Sequence, residues 1–453
     1  MNQSPPRRIK HVGLDVHATS HAVAVAESGT EEVRYHGEIP GTPEAVDKIL
    51  RKLGGEGVEL RVCYEAGPTG YGLARHLLAR GIACGVVAPG LIPRKGGERV
   101  KTNRLDAQRL ARLSRAGELT FVHVPDAGDE AIRDLVRARM SAVEDLRRQR
   151  QRLLGLFLRQ GRRYPGTGRN WTRAHMAYIA GMEWEHEEHR FLCQEMLQAI
   201  DTEQARVDRL AAALESRLPG WRWASVVGAL RCLRGFDTVS AMTMVAEVGD
   251  FSRFESPEQL SAYMGLVPGE DSTGSRRIQG SITKTGNAAC RRTLVEAAHH
   301  YRCAPAVGEK LRGRQEGQPE AVVAHAWGAQ VRLCGRFAHL KGQHKKTVVV
   351  VTAVARELAG FVWAVAMLAM GKGLPERRHR GAAARARLGD AGVGTPGQAE
   401  KTKAESIGEK PAGPRWAKGP RVYVLRPFEK AGAGSPGERP ARRRVAEGRG
   451  SKG

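Results

Sequence analysis

Short apolar runs separated by polar turns dominate the first 90 residues of the chain. Their length and their β-branched residues predict strands, whereas apolar positions three and four apart predict helices between them. The expected strands span residues 9–16, 21–27, 32–38, 58–65 and 83–87, and the expected helices start at Pro43 and near residue 71.

This order is βββαβαβ, in which three consecutive strands are followed by alternating helices and strands. It is the layout of an RNase H-like α/β domain, and we expect that domain to occupy residues 9–125. Identical layouts serve many functions, so any activity has to be argued from particular residues.

Acidic side chains stand where two of these strands end. Asp15 closes the first strand and Glu65 the fourth, and the segment 101–113, KTNRLDAQRLARL, places Asn103 and Asp106 on one face of a helix. Acids at the ends of neighbouring strands would face one another, and oxygen ligands suit Mg²⁺. The pattern predicts a magnesium site from these four side chains, although a strand-terminal acid is often only a solvated edge or a cap.

Residues 126–220 have a different pattern. Apolar residues recur at spacings of three and four in 129–160 and 184–218, among many charged residues, and Pro165 with nearby glycines separates the two stretches. This pattern is typical of long amphipathic helices that pair as a coiled coil or an antiparallel hairpin. We expect this region to act as a spacer or to mediate self-association.

A third region, residues 229–370, begins with short helices joined by glycine turns. The turn at Gly235 resembles a helix-hairpin-helix unit, which binds phosphate through helix N-termini and turn amides. Further helices are expected at 288–301, 320–340 and 347–370. The sequence therefore predicts an all-α domain.

Within this region, residues 265–287 read as a glycine-rich reactive loop. Ser272 and Thr273 stand side by side between Pro268 and Gly274, and a hydroxyl held among cations could bind or attack a phosphate. The same residues also suit an ordinary surface turn. The cations expected to bind phosphate or nucleic acid are Arg276, Arg277, Lys284, Lys101 and Arg291.

The composition indicates a polyanionic partner. The 453 residues carry a net charge of +25, but only 5% of them are aromatic, so a nucleic acid is expected without extensive base stacking. The seven cysteines show no paired spacing, so neither a disulfide framework nor a structural zinc site is indicated, which fits a reducing cytoplasm. We therefore expect a cytoplasmic protein.

Two further segments have unusual compositions, one apolar and one basic. The apolar stretch 347–370 approaches membrane-spanning length, but Arg356 and Glu357 fall inside it, so a buried helix and no membrane contact are expected. Residues 372–453 are rich in Gly, Pro, Ala, Arg and Lys, which predicts a disordered basic tail.

Several segments together resemble transposases of the insertion sequence 110 family. The resemblance covers about residues 9–370. The matching segments are GLDVHATSHAVAV, YEAGPTGYGLARHL, VVAPGLIPRKGGERVKTNRLDAQRLARL, the stretch from VGDFSRF to RRTLVEAA, WGAQVRLCGRF and VARELAGFVWAVA.

The resemblance implies an N-terminal domain similar to Holliday-junction (RuvC-like) resolvases, in which four acids hold Mg²⁺. It also implies a C-terminal serine that forms a covalent phosphoserine link with DNA, a homo-oligomer (dimer or tetramer) and a structured bridge RNA that selects the DNA. A bacterial, nucleoid-associated location is expected on the same ground. Asp15, Glu65 and Asp106 match three of the four acids, and Asn103 stands at the fourth. Ser272 is the expected nucleophile, and Thr273 is the alternative.

Two other functions remain open from the sequence. The chain could be a metal-dependent junction nuclease in which the loop only binds phosphate. It could also be a degenerate, non-catalytic nucleic-acid-binding relative, because Asn103 offers an oxygen without a negative charge.

Overall fold

The computed structural model describes residues 8–29, 32–93, 101–273 and 276–374, with the backbone alone at position 277. Nearly all of the predicted basic tail, 372–453, lies outside the described residues. The N-terminal strands are β1 (Arg8–Val16), β2 (Ser20–Glu27), β3 (Val33–Pro40), β4 (Val58–Glu65), β5 (Ala83–Val87) and β6 (Phe121–Val122). The helices that accompany them are α1 (Pro43–Leu53), α2 (Gly72–Ala79) and α3 (Asn103–Ala116).

These strands form one mixed sheet in the order β3-β2-β1-β4-β5-β6. The pairs β1–β4 and β4–β5 are parallel, and the other pairs are antiparallel. The predicted element order is confirmed, and the domain is consistent with a RuvC-like layout. The two-residue strand β6 was not predicted, because so short a segment carries no readable alternation.

The two faces of the sheet are covered by different helices. One face buries Leu14 and Tyr64 in a core with α1 and α2. Helix α3 covers the other face and approaches β1 very closely at Gly13, where an added Cβ would lie 2.3 Å from the carbonyl oxygen of Ala107. Glycine is therefore required at this crossing of strand and helix.

The central region is an antiparallel pair of long helices. Helix α4 (Ala127–Arg159) and helix α6 (Glu187–Arg217) pack along each other, and α5 (Arg173–Ala180) lies between them in the chain. The contacts of Arg150 with Gln204 and of Gln160 with His189 show the opposite directions. Buried positions of α6 recur every seven residues, at Cys193, Ile200, Val207 and Leu214, as a coiled-coil seam requires. The helix pair is observed; its supercoiling stays a prediction.

The remaining helices enclose the largest core. They are α7 (Ala224–Leu230), α8 (Thr238–Val248), α9 (Pro257–Tyr263), α10 (Ala288–Ala298), α11 (Glu309–Gln315), α12 (Glu320–Gly342) and α13 (Thr347–Ala369). Val136 of α4 and Leu214 of α6 also belong to this core. One end of the long helix pair thus packs into the core of the C-terminal region.

Helix α13 is long and apolar enough to cross a membrane by length and composition alone, but 61% of its most apolar 18 residues is buried inside the protein. Its one acid, Glu357, pairs with Arg332 at 3.0 Å and Arg336 at 3.1 Å, both from α12. These observations fit the expected buried helix.

The helix pair around Gly235 exists, as α7 and α8. Its expected use for phosphate is not supported by its contacts. The carboxylate of Asp237 accepts the backbone N–H of Ser240 at 2.8 Å and so occupies the N-terminus of α8. Gly235, at φ 90°, packs against Ala297 of α10, where an added Cβ would come within 2.8 Å of the carbonyl oxygen.

Two predictions for the C-terminal region, an irregular reactive loop and an all-α domain, are wrong because the region contains a β-hairpin. Residues of this segment form a two-stranded antiparallel hairpin of β7 (Pro268–Thr273) and β8 (Arg276–Ile282). The strands pair with each other and their side chains are largely exposed, so they show no alternation of apolar and polar residues. For that reason their sequence reads as a loop.

Candidate active site

The ends of β1 and β4 place Asp15 and Glu65 side by side. Leu14 pairs with Tyr64 in the parallel register, and the two acids are the next residues of each strand. Paired positions of parallel strands project to the same face, and that face here is the one covered by α3, because Cys63, two residues before Glu65, donates its thiol to the carbonyl of Leu110. The predicted meeting of the two acids is therefore supported by the register.

Helix α3 brings its first turn to the same edge. Its last turn contacts the middle of β1, where His11 Nδ1 lies 3.0 Å from Ser114 Oγ. Since Ala107 lies opposite Gly13, the helix runs antiparallel to β1, and its N-terminus points toward Asp15. All four predicted ligands, including Asn103 and Asp106 of that first turn, therefore stand on elements that meet at one edge, which we call the acidic edge.

Two of the carboxylates at this edge already have hydrogen-bond partners. Asp15 accepts a hydrogen bond from His17 Nε2 at 3.1 Å, and Asp106 accepts one from Arg109 Nη1 at 2.9 Å. Both acids expose only 15% or less of their side chains. Within the described part of the chain, no three His, Cys, Asp or Glu side chains converge closely enough to hold one ion as they stand.

The donor set at the acidic edge nevertheless fits a hard divalent cation. Asp15, Glu65 and Asp106 offer carboxylates and Asn103 an amide oxygen, and such ligands suit Mg²⁺ rather than a thiophilic metal. The described cysteines are free thiols, and Cys63 and Cys84 of this domain are buried in the sheet. A metal at this edge would have to displace the contacts of Asp15 with His17 and of Asp106 with Arg109.

Tyr64 stabilises the segment that follows Glu65. Its hydroxyl donates to the carbonyl of Gly70 at 3.1 Å and accepts the N–H of Ala74 at 3.3 Å. Burial raises the pKa of this phenol to about 12, so the hydroxyl stays protonated and continues to donate at physiological pH. The strand end that carries Glu65 is thereby tied to the start of α2.

Ser272 lies on the exposed hairpin. Its Oγ donates a hydrogen bond to Glu270 Oε1 at 2.8 Å. In the backbone register Ser272 is opposite Arg277, whose side chain lies outside the described residues, and Thr273 is opposite Arg276. The serine hydroxyl is thus accessible and has an acceptor for its proton.

The other predicted phosphate-binding cations differ in their surroundings. Lys101, Arg276 and Lys284 are exposed, and Lys284 adopts φ 57°, an uncommon conformation for a non-glycine residue. Arg291, in contrast, donates Nη1 to the carbonyl of Met264 at 2.9 Å and supports the chain at the start of the hairpin.

A buried polar cluster that the sequence analysis missed holds the base of the hairpin. Glu247 of α8 is 4% exposed and accepts hydrogen bonds from Asn287 Nδ2 at 2.8 Å and from Arg137 of α4 at 2.7 and 2.9 Å. The backbone N–H of Asn287 in turn bonds to the carbonyl of Tyr263. Burial alone would raise the pKa of Glu247, but the bonds from Arg137 and Asn287 outweigh it and lower that pKa.

The hairpin and the acidic edge belong to separate parts of the structure. The hairpin base contacts α8, α9 and α10, whereas the acidic edge is built from β1, β4 and α3. No hydrogen bond or ion pair between described residues joins Ser272 to Asp15, Glu65 or Asp106.

Comparison with known proteins agrees with both halves of this arrangement. A transposase family model of the DEDD, IS110 type matches residues 12–160, and the model for the transposase IS116/IS110/IS902 family matches residues 228–310. The y4qE protein of Sinorhizobium fredii (strain NBRC 101917 / NGR234) is 48% identical over 78% of this chain and 88% of its own length. The transposase for insertion sequence element IS1533 of Leptospira borgpetersenii is 32% identical over 75% of this chain and 99% of its own length. The chain therefore belongs to the IS110 family of insertion-sequence transposases, which act on DNA.

Proposed function

We propose that this transposase cuts and rejoins DNA strands through a covalent link between Ser272 and a DNA phosphate, assisted by Mg²⁺ at the acidic edge. The observation that supports the proposal is the register of β1 and β4, in which Asp15 and Glu65 follow a paired position on the face that α3 covers; Asp106 lies in the first turn of that helix. A second requirement, an accessible hydroxyl with a proton acceptor, is met by Ser272 and Glu270.

The chemical step is a phosphoryl transfer. The Ser272 oxygen forms a bond to phosphorus, and the serine proton passes to an acceptor such as the Glu270 carboxylate. The bond from phosphorus to one deoxyribose oxygen breaks, and that oxygen takes up a proton from solvent and leaves as a hydroxyl. A hydroxyl of a second strand can then attack the same phosphorus and release the serine, which rejoins the DNA. The serine–phosphate bond retains the bond energy of the phosphodiester, so rejoining the strands consumes no ATP or other energy source.

The residues of the acidic edge would bind a Mg²⁺ ion and position it beside the DNA phosphate. Mg²⁺ bound there would stabilise negative charge on the transferring phosphate as a Lewis acid. Asp15, Glu65 and Asp106 would hold it, with Asn103 as a neutral oxygen ligand. Arg276 and Lys284 on the hairpin side would neutralise neighbouring phosphates.

The separation of Ser272 from the acidic edge supports a homo-oligomer, a dimer or tetramer in which each active site combines the hairpin of one subunit with the edge of another. The net charge of +25 fits two polyanionic partners, DNA and a structured bridge RNA. The RNA itself is proposed on the family resemblance.

A covalent adduct is the direct test of the serine role. The full-length protein is incubated with DNA of the element's ends and its RNA, and the adduct is trapped by denaturation. Ser272→Ala is expected to abolish the adduct, while Thr273→Val, which removes the neighbouring hydroxyl at nearly constant shape, should retain it. An adduct that survives in Ser272→Ala but is lost in Thr273→Val would transfer the role to Thr273.

The rival functions give different outcomes in the same assay. A junction nuclease would keep cleaving DNA in Ser272→Ala and stop in Asp15→Asn. The presence of Asn103 favours a second candidate, a non-catalytic DNA-binding protein. That candidate predicts a near-silent parent in which Asn103→Asp produces a large gain in cleavage, and an active parent excludes it.

A further inference from the structure

Glu38 of β3 lies in the same row of side chains as Asp15. Ala22 of β2 pairs with Asp15 on one side and with Glu38 on the other, and residues paired in antiparallel strands project to the same face. Three neighbouring strands thus present Glu38, Ala22 and Asp15 on the face of the sheet that α3 covers, with Glu38 exposed at the rim. The two acids are two strands apart, about 10 Å between backbones, and only the methyl group of Ala22 stands between them.

A β-bulge turns Glu38 onto this face. The register passes from Ala24 opposite Tyr35 to Val23 opposite Gly37, so His36 is the extra residue. Continued without the bulge, the pairing would set Glu38 opposite His21 on the other face of the sheet. Gly37 adopts φ 96°, a conformation that glycine takes at little cost, which lets the bulge form at this position.

Helix α3 packs beside β3, and its first residue, Asn103, contacts Glu38. Asn103 Nδ2 donates a long hydrogen bond of 3.5 Å to Glu38 Oε1. Along the same strand, the guanidinium of Arg104 lies 5.3 Å from the ring centre of Tyr35, and Gln108 Nε2 donates to the carbonyl of Val33 at 3.3 Å. These contacts align the first turns of α3 with β3.

We propose that Glu38 supplies the fourth carboxylate of the acidic edge, in place of the charge that Asn103 lacks. The inference rests on the proposed metal-assisted function of that edge. Asp15, Glu65 and Asp106 carry three negative charges, and Glu38 raises the number to four. The amide nitrogen of Asn103 hydrogen-bonds to Glu38, which leaves the amide oxygen of Asn103 as a further neutral donor.

Binding of Mn²⁺ to the full-length protein tests this role without requiring activity. The free ion is measured by its electron paramagnetic resonance signal, and Mg²⁺ is added as a competitor. Glu38→Gln is expected to weaken Mn²⁺ binding roughly 10- to 100-fold, and adding Asn103→Asp to that variant should restore most of the affinity. Glu59→Gln is the matched control, because Glu59 stands at the opposite end of β4 and pairs with Arg61.

The outcomes separate the two proposals. If Asp15→Asn weakens Mn²⁺ binding and Glu38→Gln does not, the role of Glu38 is refuted while the metal-binding edge stands. An equal loss in Glu38→Gln and Glu59→Gln would also refute it, as a general effect of charge. If the unaltered protein binds no Mn²⁺ that Mg²⁺ displaces, the proposed metal role fails and the role of Glu38 fails with it. Circular dichroism and thermal unfolding of each variant verify that the sheet is retained.

Discussion

Arg137 and Glu247 are joined by two parallel hydrogen bonds, from Nε to Oε1 at 2.7 Å and from Nη2 to Oε2 at 2.9 Å. The pair links α4, which starts just after the sheet domain, to α8, and Glu247 also holds Asn287 at the base of the Ser272 hairpin. Helix α4 therefore follows the sheet domain, which carries the acidic edge, and also contacts Glu247, which holds the base of the hairpin.

Arg137→Ala should destabilise the C-terminal region. The Arg137 side chain is 55% exposed, but the variant leaves the buried carboxylate of Glu247 with Asn287 as its remaining side-chain partner. Removal of one partner from a buried polar group costs about 1–3 kcal/mol. Urea unfolding followed by tryptophan fluorescence should show a lower midpoint. Arg147→Ala is the control, because Arg147 forms an exposed pair with Glu144 on the same helix, and its midpoint should not change. Equal midpoints for both variants would refute the role of the Arg137–Glu247 pair.

Glu247 should also make stability dependent on acid pH. Its pKa in the folded protein lies below the ordinary value of 4.5, so its contribution is fully present above about pH 4.5 and is lost as pH falls through the lowered pKa. Glu247→Gln should be less stable than the parent at neutral pH, and the gap should narrow below pH 4.5. The measurement is the free energy of unfolding of both proteins between pH 7 and 3. A gap that stays constant with pH would contradict the lowered pKa.

The sequence predicted those parts of the site that follow from local patterns. Asp15 and Glu65 end apolar runs, and Asn103 and Asp106 share a helix face, so each could be located without tertiary information. Glu38 could not be placed, because its face of the sheet depends on a bulge at His36 and Gly37 that strand alternation does not reveal.

The pairing of Glu247 with Arg137 could not be predicted from the sequence either. Glu247 is the one charged residue in an otherwise uncharged helix, TVSAMTMVAEV, and that isolation is a signal of a paired, buried acid. Its partner, Arg137, lies 110 residues earlier, among the many arginines of α4, and nothing local distinguishes it from them. The β7–β8 hairpin was missed because the described side chains of its strands are mostly exposed and polar, and only Ile282 at the end of β8 packs against the core.

Gly13→Ala should disturb the acidic edge through α3. The added methyl group would lie 2.3 Å from the carbonyl oxygen of Ala107 and 2.5 Å from the nitrogen of Ala111, both backbone atoms that cannot rotate away. Such overpacking costs about 1–3 kcal/mol and should shift α3 away from β1. Thermal unfolding should occur at a lower temperature, and Mn²⁺ binding should weaken. Gly72→Ala, at a position where an added Cβ meets nothing within 4 Å, should have neither effect.

Lys284 and Arg291 should respond differently to salt when each is replaced by glutamine. Lys284 is exposed beside the hairpin, so Lys284→Gln should weaken DNA binding for all sequences and reduce the slope of log K against log salt by about one unit. Arg291 supports the carbonyl of Met264, so Arg291→Gln should lower the unfolding temperature and leave the salt slope unchanged. Titrations of labelled DNA at several salt concentrations measure both slopes. An Arg291→Gln slope reduced as much as that of Lys284→Gln would show that Arg291 contacts a phosphate as well, because only the loss of an ion-releasing contact changes this slope.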